Sequence, residues 1–351
     1  MGIFMNFFMP VHILMYSNCI RQAAADLDRM GTRALMITDG ASDAATALDQ
    51  TIATSGRLQI VSGRDICGEL LTVEQIEEIC QEMTRSETDM VLAAGSSRAV
   101  SAGKLCRQAF AERTGQRLPL VLCPIPQEAG SGVTPYACSR DRAGRLRCQS
   151  SAQLYADLLL LDAQCAGEGA SSLWMYALVE AMAHLLEAMV LSRGSLLSRG
   201  FIYDSLSDIC FGLKSLDEDL VDSLAQEVMG RSILKAGIVA GQSGSSLLYA
   251  LESRLSQRKG ISSGKAAARL LSSYTEYLWS RDSHKVQSFF GQMGFRNVAE
   301  FTQEFCFLFP EDRILTEAEA EEIAQEIVEE RRSWGLETPG TEEISRILST
   351  V

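Results

Sequence analysis

The chain has 351 residues, 46% hydrophobic and 22% charged, a globular composition long enough for two domains with sizeable cores. Its net charge of −13 argues against nucleic acid or an anionic membrane as a main partner. The ten cysteines are scattered with no C-x-x-C, a pattern that predicts reduced, buried thiols in a cytoplasmic protein and gives no support to a zinc knuckle.

The apolar opening, Met1 to Met15, holds Asn6, Pro10 and His12 and lacks a basic n-region. It reads as a buried first strand, not a signal peptide, and no segment of the chain is expected to span a bilayer. Cys19 to Met30 has helical spacing and stops at Gly31. Arg33 to Thr38 is a strand closed by Asp39-Gly40. A carboxylate at the tip of an early strand is where nucleotide folds hold a ribose, and a turn or N-cap aspartate is the plainer alternative. Leu58 to Ser62 is a further strand. Thr72-Val-Glu-Gln75 forms a capping box before a helix to Met83. Asp89 to Gly95 is a strand running into Gly95-Ser96-Ser97, with a helix from Ser101 to Ala111. Such a strand–turn–helix points backbone N–H groups at a phosphate, although a bland turn fits equally. Leu118 to Cys123 and Leu158 to Leu161, the latter ending in Asp162, complete a parallel α/β domain over residues 1–165.

From Ser171 only helical patterning remains, which defines an all-helical domain over residues 166–351. The runs are Leu173–Leu191, Leu206–Leu213, Leu220–Gly241, Ser245–Ser256, Lys265–Trp279 and Val286–Phe290. Leu315-Thr316-Glu-Ala-Glu319 is a capping box before an acidic helix to Arg332, stopped by Gly335. Its acidic face reads as simply solvated. Thr341 to Leu348 is the last helix. Within the first of these runs, Glu180 and His184 are four apart and share one helix face, where a carboxylate and an imidazole can reach one divalent metal. A polar contact between the two is the plainer reading, and Glu187 reads as a charge partner on the same face.

The order of an α/β half and a helical half resembles the iron-containing (group III) alcohol dehydrogenases, which share the dehydroquinate synthase-like fold. Pro124 to Tyr136 is similar to that family's P-T-T-A-G-T-G-S-E-V-T-P-Y segment. Val179 to Ala188, which contains Glu180, His184 and Glu187, is similar to its metal helix M-D-A-L-T-H-A-I-E-A. Leu158 to Asp162, Ala240-Gly241 and Thr338 to Leu348 resemble a later strand, a turn and the closing helix. The resemblance implies hydride transfer between NAD(P) and an alcohol or aldehyde, with a metal held by one Asp and three His. It also implies a small-molecule ligand in an interdomain cleft and a dimer.

Set against that pattern, Glu180 stands at the Asp position and His184 at the first His, while the next two ligand positions fall on Tyr249 and Ser263. The family's second-sphere His falls on Ser253. Its glycine-rich phosphate turn reads Gly95-Ser96-Ser97-Arg98, its following Asp is Ser101, Lys104 is kept, and its paired threonines are Ile125 and Pro126. Its further lysine falls near Leu146, between Arg145 and Arg147. Asp39, Gly95, Ser96, Ser97 and Lys104 are therefore the cofactor candidates.

Tyr and Ser are poor neutral ligands, and His12 and His284 are the chain's other histidines. Since single outer-shell changes already cost about 10–100-fold, losing two imidazoles is expected to leave the divalent metal doubtful. The expectation is a degenerate relative that has lost metal-dependent hydride transfer and acts as a binding or partner subunit, as a homodimer or beside an intact paralogue. The alternative is an active NAD(P)-dependent alcohol or aldehyde oxidoreductase with a rebuilt or metal-independent site, in which Tyr249 or Lys104 donates the proton. Lyase or synthase chemistry, as in related sugar-cyclising enzymes of the same fold, meets the same objection over the metal.

Overall fold

The computed structural model describes residues 7–40, 42–167, 171–191, 196–243, 247–305, 309, 312–333 and 339–351. In chain order the first half contains β1 (His12–Met15), α1 (Cys19–Gln22), α2 (Ala24–Met30), β2 (Arg33–Thr38), α3 (Asp43–Thr54), β3 (Gln59–Asp65), α4 (Val73–Arg85), β4 (Met90–Gly95) and α5 (Ser97–Thr114). There follow β5 (Leu120–Pro124), β6 (Tyr136–Arg140), β7 (Leu146–Ser150) and β8 (Leu158–Leu161). Six strands form one parallel sheet in the order β1-β8-β5-β4-β2-β3, and β6 and β7 form a separate antiparallel hairpin. β4, β5 and β8 are buried along their whole length. Strands covered on both faces read as continuous apolar runs, which is why Met90 to Ala94 and Leu158 to Leu161 were legible as sheet core.

The helical half contains α6 (Ser171–Leu191), α7 (Leu196–Asp217), α8 (Ser223–Ser243), α9 (Leu247–Lys259), α10 (Ser263–Gln292), α11 (Val298–Glu304), α12 (Glu317–Ser333) and α13 (Thr341–Leu348). Every regular element among the described residues after 170 is a helix. Two compact units result. The α/β unit is Phe8–Ala170 with Val221–Gly237, and the helical unit is Met1–Phe7, Ser171–Leu220 and Ile238–Val351. Against the expected boundary at 165/166, the segment Val221–Gly237 thus groups with the α/β unit although it lies deep in the second half of the sequence.

Several local expectations need correction. The expected helix Cys19–Met30 breaks at Ala23 into α1 and α2. α5 begins at Ser97, four residues before the expected Ser101, because the Ser96 hydroxyl caps it by accepting from Arg98 N–H at 3.2 Å. The first strand is only His12–Met15, and Met1–Asn6 lie outside the described residues, as do Ser245, Gly335 and Thr338. α6 is long and apolar enough to cross a bilayer, contrary to expectation, and most of it is buried inside the protein as a core helix.

Two further corrections come from long-range pairing. Cys138 and Cys148 are not free thiols: they face one another across the β6–β7 hairpin, with Cα atoms 4.2 Å apart, and form a disulfide. Cys19, Cys80, Cys106, Cys123 and Cys165 are buried free thiols as expected, Cys67 is exposed, Cys210 is half-buried, and Cys306 lies outside the described residues. The acidic face of α12 is not merely solvated. Glu319 accepts from Lys259 at 2.6 Å, Glu322 and Glu326 from Arg258 at 2.6 and 2.9 Å, and Glu326 and Glu330 from the buried Arg254. Glutamates three, four and four residues apart form a single stripe along α12, and that stripe faces the basic end of α9.

Candidate metal centre and nucleotide turn

The metal-binding candidates lie in the helical unit. Glu180, His184 and Glu187 follow one another at four and three residues on α6, so they share one face. α10 lies against that face. Its second residue is Gly264, where a Cβ would come 2.6 Å from the Tyr176 carbonyl oxygen, so only glycine permits this approach. The close approach brings Ser263 to Glu180, whose Oε2 accepts from the Ser263 hydroxyl at 2.9 Å. α9 contributes Glu252, whose Oε1 lies 3.1 Å from His184 Nε2. Glu180, His184 and Glu252 each offer a ligand atom, and these atoms all lie within 4.8 Å of one another.

Glu252 is the residue that the sequence reading missed. Three positions from Tyr249 on α9, it supplies the carboxylate where an imidazole was sought. Tyr249 itself is half-buried, and Ser253 follows Glu252 directly. No periodicity could have singled Glu252 out, because its partner His184 is 68 residues away. His12 on β1 and His284 on α10 are both exposed, and neither belongs to the donor group.

The electrostatics suit a cation. Glu252 is 1% exposed, and its Oε2 is buried without a hydrogen-bond partner among the described residues. Burial raises the Glu252 carboxyl above its usual range, His184 opposes that rise, and Glu187 adds to it. Burial disfavours the His184 imidazolium, but Glu252, Glu180 and Glu187 outweigh it and raise His184 to about 9. Two carboxylates and one imidazole around an unpartnered buried oxygen make a donor set that fits a divalent metal ion. Glu252 thus stands as a third donor beside the expected Glu180–His184 pair.

The nucleotide candidates lie in the α/β unit. Because β2 and β4 are parallel neighbours with Thr38 opposite Ala94, Asp39 and Gly95 leave the sheet side by side. Gly95 has φ +129°, and a Cβ there would stand 3.2 Å from the Asp39 Cβ, so the turn requires glycine. Asp39 Oδ2 accepts from the Ser96 hydroxyl, and Oδ1 accepts from Gly68 N–H. Asp39, Gly95 and Ser96 thus meet at one turn. Ser97 presents its N–H at the start of α5, but that N–H donates to the Glu128 carboxylate. A phosphate at this turn would compete with a carboxylate already held there, so the turn fits a dinucleotide only if Glu128 yields.

Lys104 lies away from the turn. It is fully buried, and its ammonium donates to the carbonyl oxygens of Ser131, Thr134 and Tyr136 at 2.6, 2.7 and 3.1 Å. Burial and then Arg107 pull Lys104 down to about 7, whereas three acceptors for three N–H bonds favour the charged form. The geometry makes it a strut for the chain between β5 and β6, not a group that meets a cofactor or substrate.

Residues 10–163 match the family model described as iron-containing alcohol dehydrogenase. No curated protein matches the sequence. Among solved structures the chain is similar to an iron-containing alcohol dehydrogenase from Thermotoga maritima, with 22% identity, 97% of this chain and 98% of that chain covered, and a TM-score of 0.81. It is similar to maleylacetate reductase from Agrobacterium tumefaciens, with 20% identity, 99% and 98% coverage, and a TM-score of 0.80. It is also similar to sulfoacetaldehyde reductase from Bifidobacterium kashiwanohense, solved in complex with NAD+, with 16% identity, 99% and 98% coverage, and a TM-score of 0.79. The family match thus lies in the α/β segment, and over nearly its whole length the chain shares the two-domain fold of the solved iron-containing alcohol dehydrogenases.

Proposed function

We propose that the chain is an NAD(P)-dependent alcohol or aldehyde oxidoreductase whose metal centre is rebuilt on Glu180, His184 and Glu252. The observation that carries this reading is the third donor: Glu252 joins the α6 pair and keeps one buried oxygen without a hydrogen-bond partner among the described residues. When bound, a divalent ion supplies Lewis-acid polarisation of an alcohol or carbonyl oxygen, and a nicotinamide supplies or takes the hydride. The chain's own part is to hold and orient. Ser263 fixes one oxygen of Glu180. Tyr249, three residues from Glu252 on the same helix, is the group assigned to proton transfer at the substrate oxygen.

A second reading is favoured by one observation. Glu128 holds the Ser97 N–H that a cofactor phosphate would need. This supports a chain that keeps the fold without hydride transfer; a role as a partner subunit, paired with itself or with an intact paralogue, is the form that reading takes. The readings separate in two measurements on the purified chain. Plasma spectrometry after incubation with Fe2+, Zn2+ or Mn2+ is expected to find one equivalent, lost in Glu252→Ala. NAD(P)H oxidation with short aldehydes is expected to depend on that metal. No bound metal, together with calorimetric silence towards NAD(P)(H) at millimolar ligand, would leave the second reading standing.

A further inference from the structure

We infer that Glu187 is a positioning residue of the metal centre, one carboxylate oxygen setting the spacing between the helices that carry His184 and Glu252. The inference rests on the metal reading above. Glu187 is 1% exposed, and its Oε1 accepts twice, from Leu248 N–H at 3.0 Å and from the Tyr274 hydroxyl at 2.5 Å. Those donors lie on the two helices that complete the centre, Leu248 on α9 and Tyr274 on α10.

The placement along each helix is what matters. On α6, Glu187 is one turn beyond His184 on the same face. On α9, Leu248 is one turn before Glu252. The Glu187–Leu248 bond therefore ties α6 to α9 one turn from the point where His184 meets Glu252. It also places a negative charge at the first turn of α9, where the helix dipole favours it. Tyr274 is fully buried. Burial first, then the Glu187 carboxylate, hold its phenol far above the ordinary range, so it remains the donor. Without Glu187, both the first-turn N–H of α9 and the Tyr274 hydroxyl would lose their acceptor inside the core. α9 would then be free to shift, and Glu252 with it.

The test uses Mn2+ alone as the probe on the metal-stripped full chain, read by calorimetry and by the Mn2+ paramagnetic resonance spectrum. Glu187→Ala is expected to weaken Mn2+ binding by about 10–100-fold, the scale of lost supporting contacts around metal ligands, and to broaden the spectrum. Glu187→Gln keeps an acceptor oxygen in place and is expected to stay within about fivefold of wild type. Tyr274→Phe removes one of the two donors and is expected to cost about 3–10-fold. A merely structural role would lower the melting temperature in Glu187→Ala while leaving affinity and spectrum of the folded protein unchanged, and that result overturns the inference. So does a Glu187→Gln variant as weak as Glu187→Ala, since charge and not placement would then be the cause. If Glu187→Ala does not fold, wild-type affinity in Tyr274→Phe overturns it equally. Wild-type protein that takes up no Mn2+ removes the metal reading and this inference together. Wild-type protein that binds while the variants bind equally removes this inference alone.

Discussion

A buried carboxylate that shares an imidazolium through one oxygen, and whose other oxygen has no hydrogen-bond partner among the described residues, is costly, and a divalent cation taking the place of the imidazole proton would complete it. Glu252 is in that position, so its substitution is the most informative at the residue scale. Glu252→Ala is expected to lower divalent-metal affinity by at least about 100-fold, since it removes a direct donor and not a supporting one. Calorimetry with Mn2+ measures this, and affinity within a factor of a few of wild type would show that the cluster is only a buried ion pair. The second informative residue is Glu128. Replacing its carboxylate by an amide removes a negative charge from the start of α5. Glu128→Gln is expected to tighten binding of ADP and NAD(H) about tenfold, equivalent to about 1.4 kcal/mol. Equal affinity in variant and wild type would mean that Glu128 does not contest the phosphate position.

The centre at the scale of elements is a matter of how closely three helices approach. Gly264 sets the α6–α10 distance, Glu187 the α6–α9 distance, and the Arg254, Arg258 and Lys259 pairs tie α9 to α12. Gly264→Ala forces a Cβ against the Tyr176 carbonyl oxygen, an overpacking expected to cost about 1–3 kcal/mol. It also pushes Ser263 away from Glu180. Denaturant unfolding reads the first effect and metal affinity the second, and an unchanged unfolding midpoint would contradict the tight approach. The Glu319 carboxyl, held down to about 2 by Lys259 and by the Thr316 cap, stays charged at any pH near neutral, so the α9–α12 contact persists there.

Over the whole molecule, the buried thiols set a pH limit. Burial raises Cys19 and Cys80 to about 11 and Cys165 to about 12, and Cys106 and Cys123 further still. The unfolded thiols ionise from about 8.5. A folded pKa above the unfolded one gives stability that is complete below about 8.5 and is lost as pH rises through 11 to 12. The melting temperature is therefore expected to hold to about pH 8.5 and then fall steadily. A Cys80→Ala variant should show a shallower fall, and a wild-type curve flat to pH 11 would contradict the burial. In native protein at neutral pH a thiol reagent is expected to label Cys67 and spare the buried set.

The sequence by itself determined everything that has a short period or a short range. Buried parallel strands were legible as apolar runs, the capping boxes at Thr72–Gln75 and Thr316–Glu319 as local hydrogen-bonding patterns, and Glu180 with His184 as one helix face. Asp39 and Gly95 were legible as tips of strands. Only the tertiary structure decided which distant residues meet: Glu252 beside His184, Glu128 on Ser97, Cys138 opposite Cys148, and the α12 glutamates on α9. The physical reason is that periodicity gives the face a residue occupies but not the helix or loop packed against it. That partner is set by helix approach and strand register, which here depend on single positions such as Gly264.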